Sequence, residues 1–401
     1  MKQIPGPRRA AAGREARSMT QKKVTITDIA KASGVSKTTI SRYLNGRFDL
    51  MSPETRRRIE SVIDVSGYQP STIARSLKNK RSLLLGIVVS DQSSPFSTAV
   101  LLGVGDALRN TEYVPVFVNC DDDPAKERYQ ISFLLSRGVD GLIVNTTSYE
   151  NPFLVNLEAR GVPVVLCDRY IKGHTFDIVT TDHDSTIRQL LAHLKEQGYG
   201  LPALFSQRWD NNSVRLQRRQ AFAAGAEALF GLRPGQAPVY EVDGQNQGSA
   251  VRALEDLMAR CAPGQRPAVI GVNSVTTTYT LHAMREMGLS IPQQIGLCGP
   301  EDWNWGDQMN WPELTAPQLT TASVHAREIG ATATNLLLAR IADPSLAKQE
   351  VLLPSELSPR ASTLLHVGMN TSGPQEAQQT AADFATLFLS LIHISEPTRP
   401  Y

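Results

Sequence analysis

A chain of 401 residues with 41% hydrophobic and 20% charged residues is long enough for two or three globular domains, and no apolar stretch approaches the roughly 20 residues of a membrane span. The net charge of +2 conceals a division, because residues 1–81 carry 18 Lys/Arg against 6 Asp/Glu while the remainder carries 23 against 33. A basic head on an acidic body suits a polyanionic partner for the head, and four scattered cysteines without a CxxC pair argue against a zinc or redox motif.

Residues 1–22 read as a basic disordered tail, Pro/Gly/Ala-rich over its first 18 positions, with Met19 as an alternative start. No hydrophobic signal-peptide core follows it, so a cytoplasmic location is expected. Residues 23–68 read as a small all-α unit. Thr25 and Asp28 suit a capped helix start, Ile29 and Ala30 would face inward, and Gly34 suits a left-handed helix end. Ser36 then caps a second helix in which Ile40 and Leu44, four apart, would be buried. Its other face carries Lys37, Thr38, Ser41 and Arg42. A helix, a glycine turn and a short helix with a donor-rich outer face make a helix-turn-helix, whose second helix enters the major groove of DNA. Ser52-Pro53-Glu54 opens a third helix, with Ile59, Val62 and Ile63 as its core stripe and Gly67-Tyr68 at its end. Residues 69–81 read as a linker in which Ile73, Ala74 and Leu77 could share one face of a short helix, marginal alone and in need of a partner.

From Leu83 apolar runs alternate with helical patterns, with strands over 83–91, 114–120, 141–147, 162–168, 203–206, 239–242, 268–273 and 295–299. Near-continuous apolar strands between helices indicate parallel sheets, and about ten such units suit two doubly wound lobes over 82–365. Cys120, Cys167 and Cys298 end apolar runs and read as core thiols. Residues 366–401 form a tail. Its end, LSLIHISEPTRPY (389–401), breaks with what precedes it, looks like a translated sequencing adapter and is left out of the fold reading.

Ligands in doubly wound sheets bind beyond the C-terminal strand ends. The polar residues there are Ser90, Asp91, Asn145, Asp168, Asn273, Glu301 and Asp302, with Arg215 and Arg218 at the start of a following helix. Each also has a plainer role open to it, as a strand-end cap or half of a surface ion pair. Two arginines near such a cleft suit a carboxylate, which guanidinium binds bidentately. Trp303 and Trp305 could stack on a sugar ring or fill a loop or dimer core. The seven histidines are scattered, and most read as surface or structural.

The stretches VTITDIAKASGVSKTTISRYLNG, SPETRRRIESVIDVSGYQP and STIARSLKNKRS resemble the lac-repressor (LacI) family, and the likeness continues to about residue 365. The resemblance implies a helix-turn-helix head on a two-lobed α/β core like a periplasmic sugar-binding protein. It implies a regulator that binds a palindromic operator as a homodimer and senses a small sugar or sugar acid, with repression relieved by ligand as the family norm. It implies Lys37, Thr38 and Arg42 as base-reading residues and Thr25, Thr27, Ser36, Thr39, Ser41 and Asn45 on the phosphate side. In the hinge it implies Ala74 and Leu77, with Leu77 a minor-groove wedge, and basic Lys78 beside them is counted with the DNA contacts. It places Arg218 as the effector arginine, Asp168 as the strand-end aspartate, Asn273 and Glu301 on the second lobe and Phe96 as an aromatic cover. Three features depart from the family: Ser71 replaces the usual asparagine after the hinge proline, Pro300-Glu301-Asp302 stands where Asp-Asp is frequent, and Thr320-Thr321-Ala-Ser-Val324 runs apolar where a polar residue often follows the Thr-Thr pair. The chain also resembles members assigned to ketogluconate-type sugar acids. A transport-type binding protein lacks a helix-turn-helix, and an enzyme on this fold would show a nucleophile elbow, P-loop or dinucleotide fingerprint, none of which is present. No cofactor and no metal is expected.

Overall fold

The computed structural model describes residues 24–44, 46–68, 81–244, 246, 248–302 and 310–365. Expectations for Asn45, the hinge with Ala74, Leu77 and Lys78, Trp303, Trp305 and the two chain ends lie outside the described residues. The chain divides into two units between Ser82 and Leu83.

In the head, α1 (Ile26–Ala32) begins in a capping box, in which Thr25 Oγ1 accepts from the Asp28 amide and the Asp28 carboxylate accepts from the Thr25 amide at 2.9 Å. Gly34, at φ +64°, turns the chain. Ser36 caps α2 (Lys37–Leu44) by accepting from the Thr39 amide at 3.1 Å. Ser52 and Pro53 open α3 (Pro53–Ser66), which Gly67 closes at φ +59°. Ile29, Ala30, Ile40 and Ile59 are buried together, flanked by partly buried Val35, Leu44, Val62 and Ile63. So thin a core leaves the unit dependent on its caps.

The body begins with β1 (Leu84–Val89), α4 (Pro95–Leu108), β2 (Val114–Asn119), α5 (Pro124–Ser136), β3 (Gly141–Val144), α6 (Pro152–Ala159), β4 (Val164–Cys167) and β5 (Asp177–Thr181). It continues with α7 (His183–Glu196), β6 (Leu201–Ser206), α8 (Ser213–Phe230), β7 (Val239–Glu241), α9 (Gly248–Arg260), β8 (Pro267–Gly271), α10 (Ser274–Glu286) and β9 (Gly296–Pro300). β10 (Thr320–Ser323), α11 (Ala326–Ala342), β11 (Glu350–Leu353) and β12 (Glu356–Ser358) close it. These four were not read from the sequence, nor was α6.

Two six-stranded sheets result. The first lobe runs β11-β5-β4-β3-β1-β2, all parallel, and the second runs β12-β10-β9-β8-β6-β7, parallel except for antiparallel β12. The inner strands are buried throughout, as continuous apolar runs with helices on both faces require. Helix α11 returns to the first lobe and packs on α4 with their backbones in contact. A Cβ on Gly103 would meet Arg327 O at 1.8 Å, and one on Gly330 would meet Val100 O at 2.1 Å.

The chain crosses between lobes three times, at β5–α7, β10–α11 and β11–β12, and hydrogen bonds tie the crossings together. Thr181 Oγ1 donates to Val324 O at 2.9 Å, the Asp182 amide to Leu353 O at 3.1 Å, and Gln189 Nε2 to Ser355 Oγ at 2.8 Å. Cys120, Cys167 and Cys298 are buried free thiols.

Candidate functional sites in the head and the cleft

Helix α2 buries Ile40 and leaves Lys37, Thr38 and Arg42 exposed, with no hydrogen bond or ion pair from these three side chains among the described residues. Thr25 and Thr27 are exposed near the start of α1. The hydroxyls of exposed Ser36 and half-buried Thr39 lie 2.9 Å apart at the start of α2, and Ser41 is half-buried. The start of a helix, with its unsatisfied amides, suits phosphate. Phe48 braces the following turn, edge-on to Tyr43 at 5.6 Å and beneath the Arg56 guanidinium at 3.9 Å.

In the body, the strand-end residues of both lobes converge on the cleft, but most of their polar atoms are already partnered. Ser90 Oγ donates to Asn145 Oδ1 at 2.7 Å, and Asn145 Nδ2 donates to Cys167 O at 2.9 Å, tying together the ends of β1, β3 and β4. Asp91 accepts from the Ser93 amide and hydroxyl. Phe96 lies in the first-lobe core with Leu85, Ile87, Val100 and Ile329. Asn273 caps α10 through Oδ1 and donates from Nδ2 to Gln207 Oε1. Glu301, at φ +77°, accepts from Ser274 N and Oγ on one oxygen and from Arg218 on the other. Asp302 accepts from Thr321 Oγ1 at 2.9 Å and Arg360 Nη2 at 3.0 Å.

Three expected residues keep bonding capacity. Asp168, at φ +67°, meets His183 Nε2 at 3.4 Å through Oδ1, and its Oδ2 has no donor among the described residues. Burial opposes the Asp168 charge, but His183, Arg218 and Arg169 more than offset it and hold the carboxyl below its ordinary range. Arg218, 2% exposed, donates Nη1 to Val272 O at 2.6 Å and to Glu301 Oε1 at 3.2 Å. Its Nε–Nη2 edge, the edge that pairs side-on with a carboxylate, has no acceptor among the described residues. Arg215 donates Nη1 to Arg208 O at 2.8 Å and has no carboxylate within ion-pair distance among the described residues. Burial, with Arg169 and Arg218 nearby and only partly offset by Asp122 and Glu301, brings its pKa down to about 10.

Several contributors were not singled out from the sequence. Arg169, directly after Asp168, donates to Asp122 Oδ1 at 3.1 Å and Thr146 O at 3.0 Å. His183 was counted among the scattered histidines. Buried Glu127 accepts from the Thr147 amide and Asn151 Nδ2, each at 2.5 Å, and so shapes the loop carrying Tyr149. The Tyr149 amide in turn reaches the second lobe, donating to Asn211 O at 3.1 Å, while the Tyr170 amide donates to Ser213 Oγ at 2.9 Å. The available signals were slight: a cation next to a strand-end aspartate, and a histidine on the first turn of a crossing helix.

A helix-turn-helix joined to a two-lobed binding-protein body defines a ligand-responsive DNA-binding transcriptional regulator. Residues 25–71 match the model of bacterial regulatory proteins of the lacI family, and residues 82–359 match periplasmic binding proteins and the sugar-binding domain of the LacI family. The chain is similar to the HTH-type transcriptional regulator PtxS of Pseudomonas putida, 34% identical over 87% of this chain and 98% of that protein. It is similar to the HTH-type transcriptional regulator KdgR of Bacillus subtilis, 32% identical over 84% of this chain and 97% of that one. A lac repressor dimer solved on operator with the anti-inducer ONPF has the same fold, with a TM-score of 0.71 and 22% identity over 86% of this chain and all of that one. The chain belongs to the LacI family. Among the described residues no helix is long and apolar enough to cross a membrane.

Proposed function

We propose that the cleft senses a small sugar acid of the ketogluconate type, and that this ligand decides whether a homodimer of the chain holds a near-palindromic operator. The observation behind the ligand class is Arg215, a half-buried cation beside two other arginines with no carboxylate within ion-pair distance among the described residues. A cation drawn partly out of water among like charges favours an anionic partner, and the open Nε–Nη2 edge of buried Arg218 offers a second grip on the same anion. Asp168 Oδ2 would accept from a ligand hydroxyl. Ser90, Asn145, Asn273, Glu301 and Asp302 hold the walls of the cleft by the bonds described, and Asp91 and Phe96 frame its first-lobe side.

On the DNA side, Lys37, Thr38 and Arg42 read bases, while Thr25, Thr27, Ser36, Thr39, Ser41 and Asn45 meet phosphates. Ala74, Leu77 and Lys78 serve the hinge, and the regulator acts in the cytoplasm as a repressor released by its ligand. An Arg42–guanine pair contributes about 1–3 kcal/mol of discrimination, so Arg42→Ala should lose operator preference while the chain stays folded. An unchanged footprint would remove Arg42 from base reading. Calorimetry with gluconate, 2-ketogluconate, glucose and ribose tests the ligand class. Binding of an acid supports it, and binding of the neutral sugars alone contradicts it.

A further inference from the structure

His183 occupies a position in this fold that the functional reading leaves unused. It is the first residue of α7, immediately after the first lobe crossing, and it is 3% exposed. Its Nε2 lies 3.2 Å from Thr180 Oγ1 and 3.4 Å from Asp168 Oδ1. The Thr180 hydroxyl donates its hydrogen to Asp168 O at 2.9 Å, so toward His183 it can only accept. The ionised Asp168 carboxylate likewise only accepts. Both neighbours therefore require the hydrogen on Nε2 and leave Nδ1 of the neutral ring as a bare acceptor, and Nδ1 is buried without a partner among the described residues. The charged and titratable groups around the ring are Asp168 from the end of β4, Arg218 from α8 and Glu301 from the end of β9, with Tyr170, Asp182 and Asp184 lining the adjoining cavity of about 390 Å³. Burial and Arg218 favour the neutral ring over the pull of Asp168 and Glu301.

We propose that His183 is a positioning residue for the effector. Its Nε2–H faces Thr180 Oγ1 and, in a longer 3.4 Å contact, one oxygen of Asp168, so that the other Asp168 oxygen is left for a ligand hydroxyl, and it ties that contact to the segment where the chain passes from one lobe to the other. The proposal rests on the reading of the cleft as a sugar-type site. It does not depend on the ligand being an acid, because the hydroxyl contact is common to sugars and sugar acids.

Glutamine places its amide nitrogen near the Nε2 position of histidine, whereas asparagine reaches only the Nδ1 position. The test uses the full chain, ¹⁵N-labelled on histidine, with calorimetry against gluconate, 2-ketogluconate, glucose and ribose. The expected spectrum shows His183 as the Nε2–H tautomer at neutral pH, with its signals moved by Asp168→Asn. His183→Asn and His183→Leu should each weaken whichever of the four ligands binds by about tenfold, the scale of one hydrogen bond to a charged group, and His183→Gln should restore most of the loss. An Nδ1–H tautomer, or equal affinity in all three variants, overturns the proposal, as does failure of all four ligands to bind the unaltered chain. Binding of glucose or ribose alone, still weakened by His183→Leu, retains the positioning role and removes only the sugar-acid reading.

Discussion

The two lobes bring the same strand order to the cleft, apart from the antiparallel edge strand β12, and use it differently. In the first lobe, Ser90, Asn145 and the Cys167 carbonyl partner one another, while Asp168 keeps an oxygen with no donor among the described residues. In the second, Glu301, Asn273 and Asp302 are held by their neighbours, and the free capacity lies in the Arg215 and Arg218 guanidiniums on α8. The acceptor therefore stands on one wall and the donors on the other. On the proposed reading, a ligand with both a hydroxyl and a carboxylate would bridge them, and such bridging would bias the lobe arrangement.

The strongest way to break this contrast is Arg218→Met. Removing one member of a buried pair leaves Glu301 charged and unpaired, so a loss of about 3–5 kcal/mol in body stability is expected, together with loss of the ligand response. Urea denaturation measures the first and operator titration the second, and wild-type stability would show that the pair is dispensable. Arg215→Gln removes a cation whose side chain has one acceptor among the described residues. Affinity for the acid ligand should fall roughly ten- to a hundredfold, about 1.4–2.8 kcal/mol, with the denaturation midpoint little changed. A variant that unfolds instead would make Arg215 a structural residue. Asp302→Asn keeps the shape but weakens the hold on Arg360, so ligand affinity should change less than threefold, well under 1 kcal/mol.

The smallest effect is in pH. Burial lowers the pKa of both His183 and His193. A group with a depressed folded pKa contributes stability that is present above its unfolded value, about 6.5, and lost as pH falls through its folded value. Body stability should therefore decline below about pH 6.5, and His183→Gln should flatten part of that decline in denaturation midpoints. An unchanged slope would assign the decline to other groups.

How far the chain could be read varied by region. The head was legible to the residue because its signals are local: a capping box at Thr25 and Asp28, a left-handed Gly34, and Ile40 and Leu44 on one face. The strands of the body were legible because buried parallel strands are continuous apolar runs. Helix α11 was not, since it lies against α4 and β4 on several sides and shows little amphipathic contrast, and β10–β12 are only three or four residues long. In the cleft, strand-end chemistry marked the polar residues but could not say which kept an open valence. Asn273 and Arg215 looked alike in sequence, and only partners distant in the chain separate a residue fully bonded within the protein from one that is not. His183 was lost among seven histidines because its meaning depends on Asp168 and Thr180 across a lobe crossing.

The central claim is that DNA binding by this regulator is conditioned by an anionic ligand held at Arg215 and Arg218. Its most direct test is to select bound DNA from a random pool with the full chain, then titrate the recovered operator in the presence of 2-ketogluconate, gluconate, glucose or ribose. The account predicts that a sugar acid shifts operator affinity in the unaltered chain and has little effect on Arg215→Gln. A shift produced only by the neutral sugars, or equal shifts in both proteins, would contradict it.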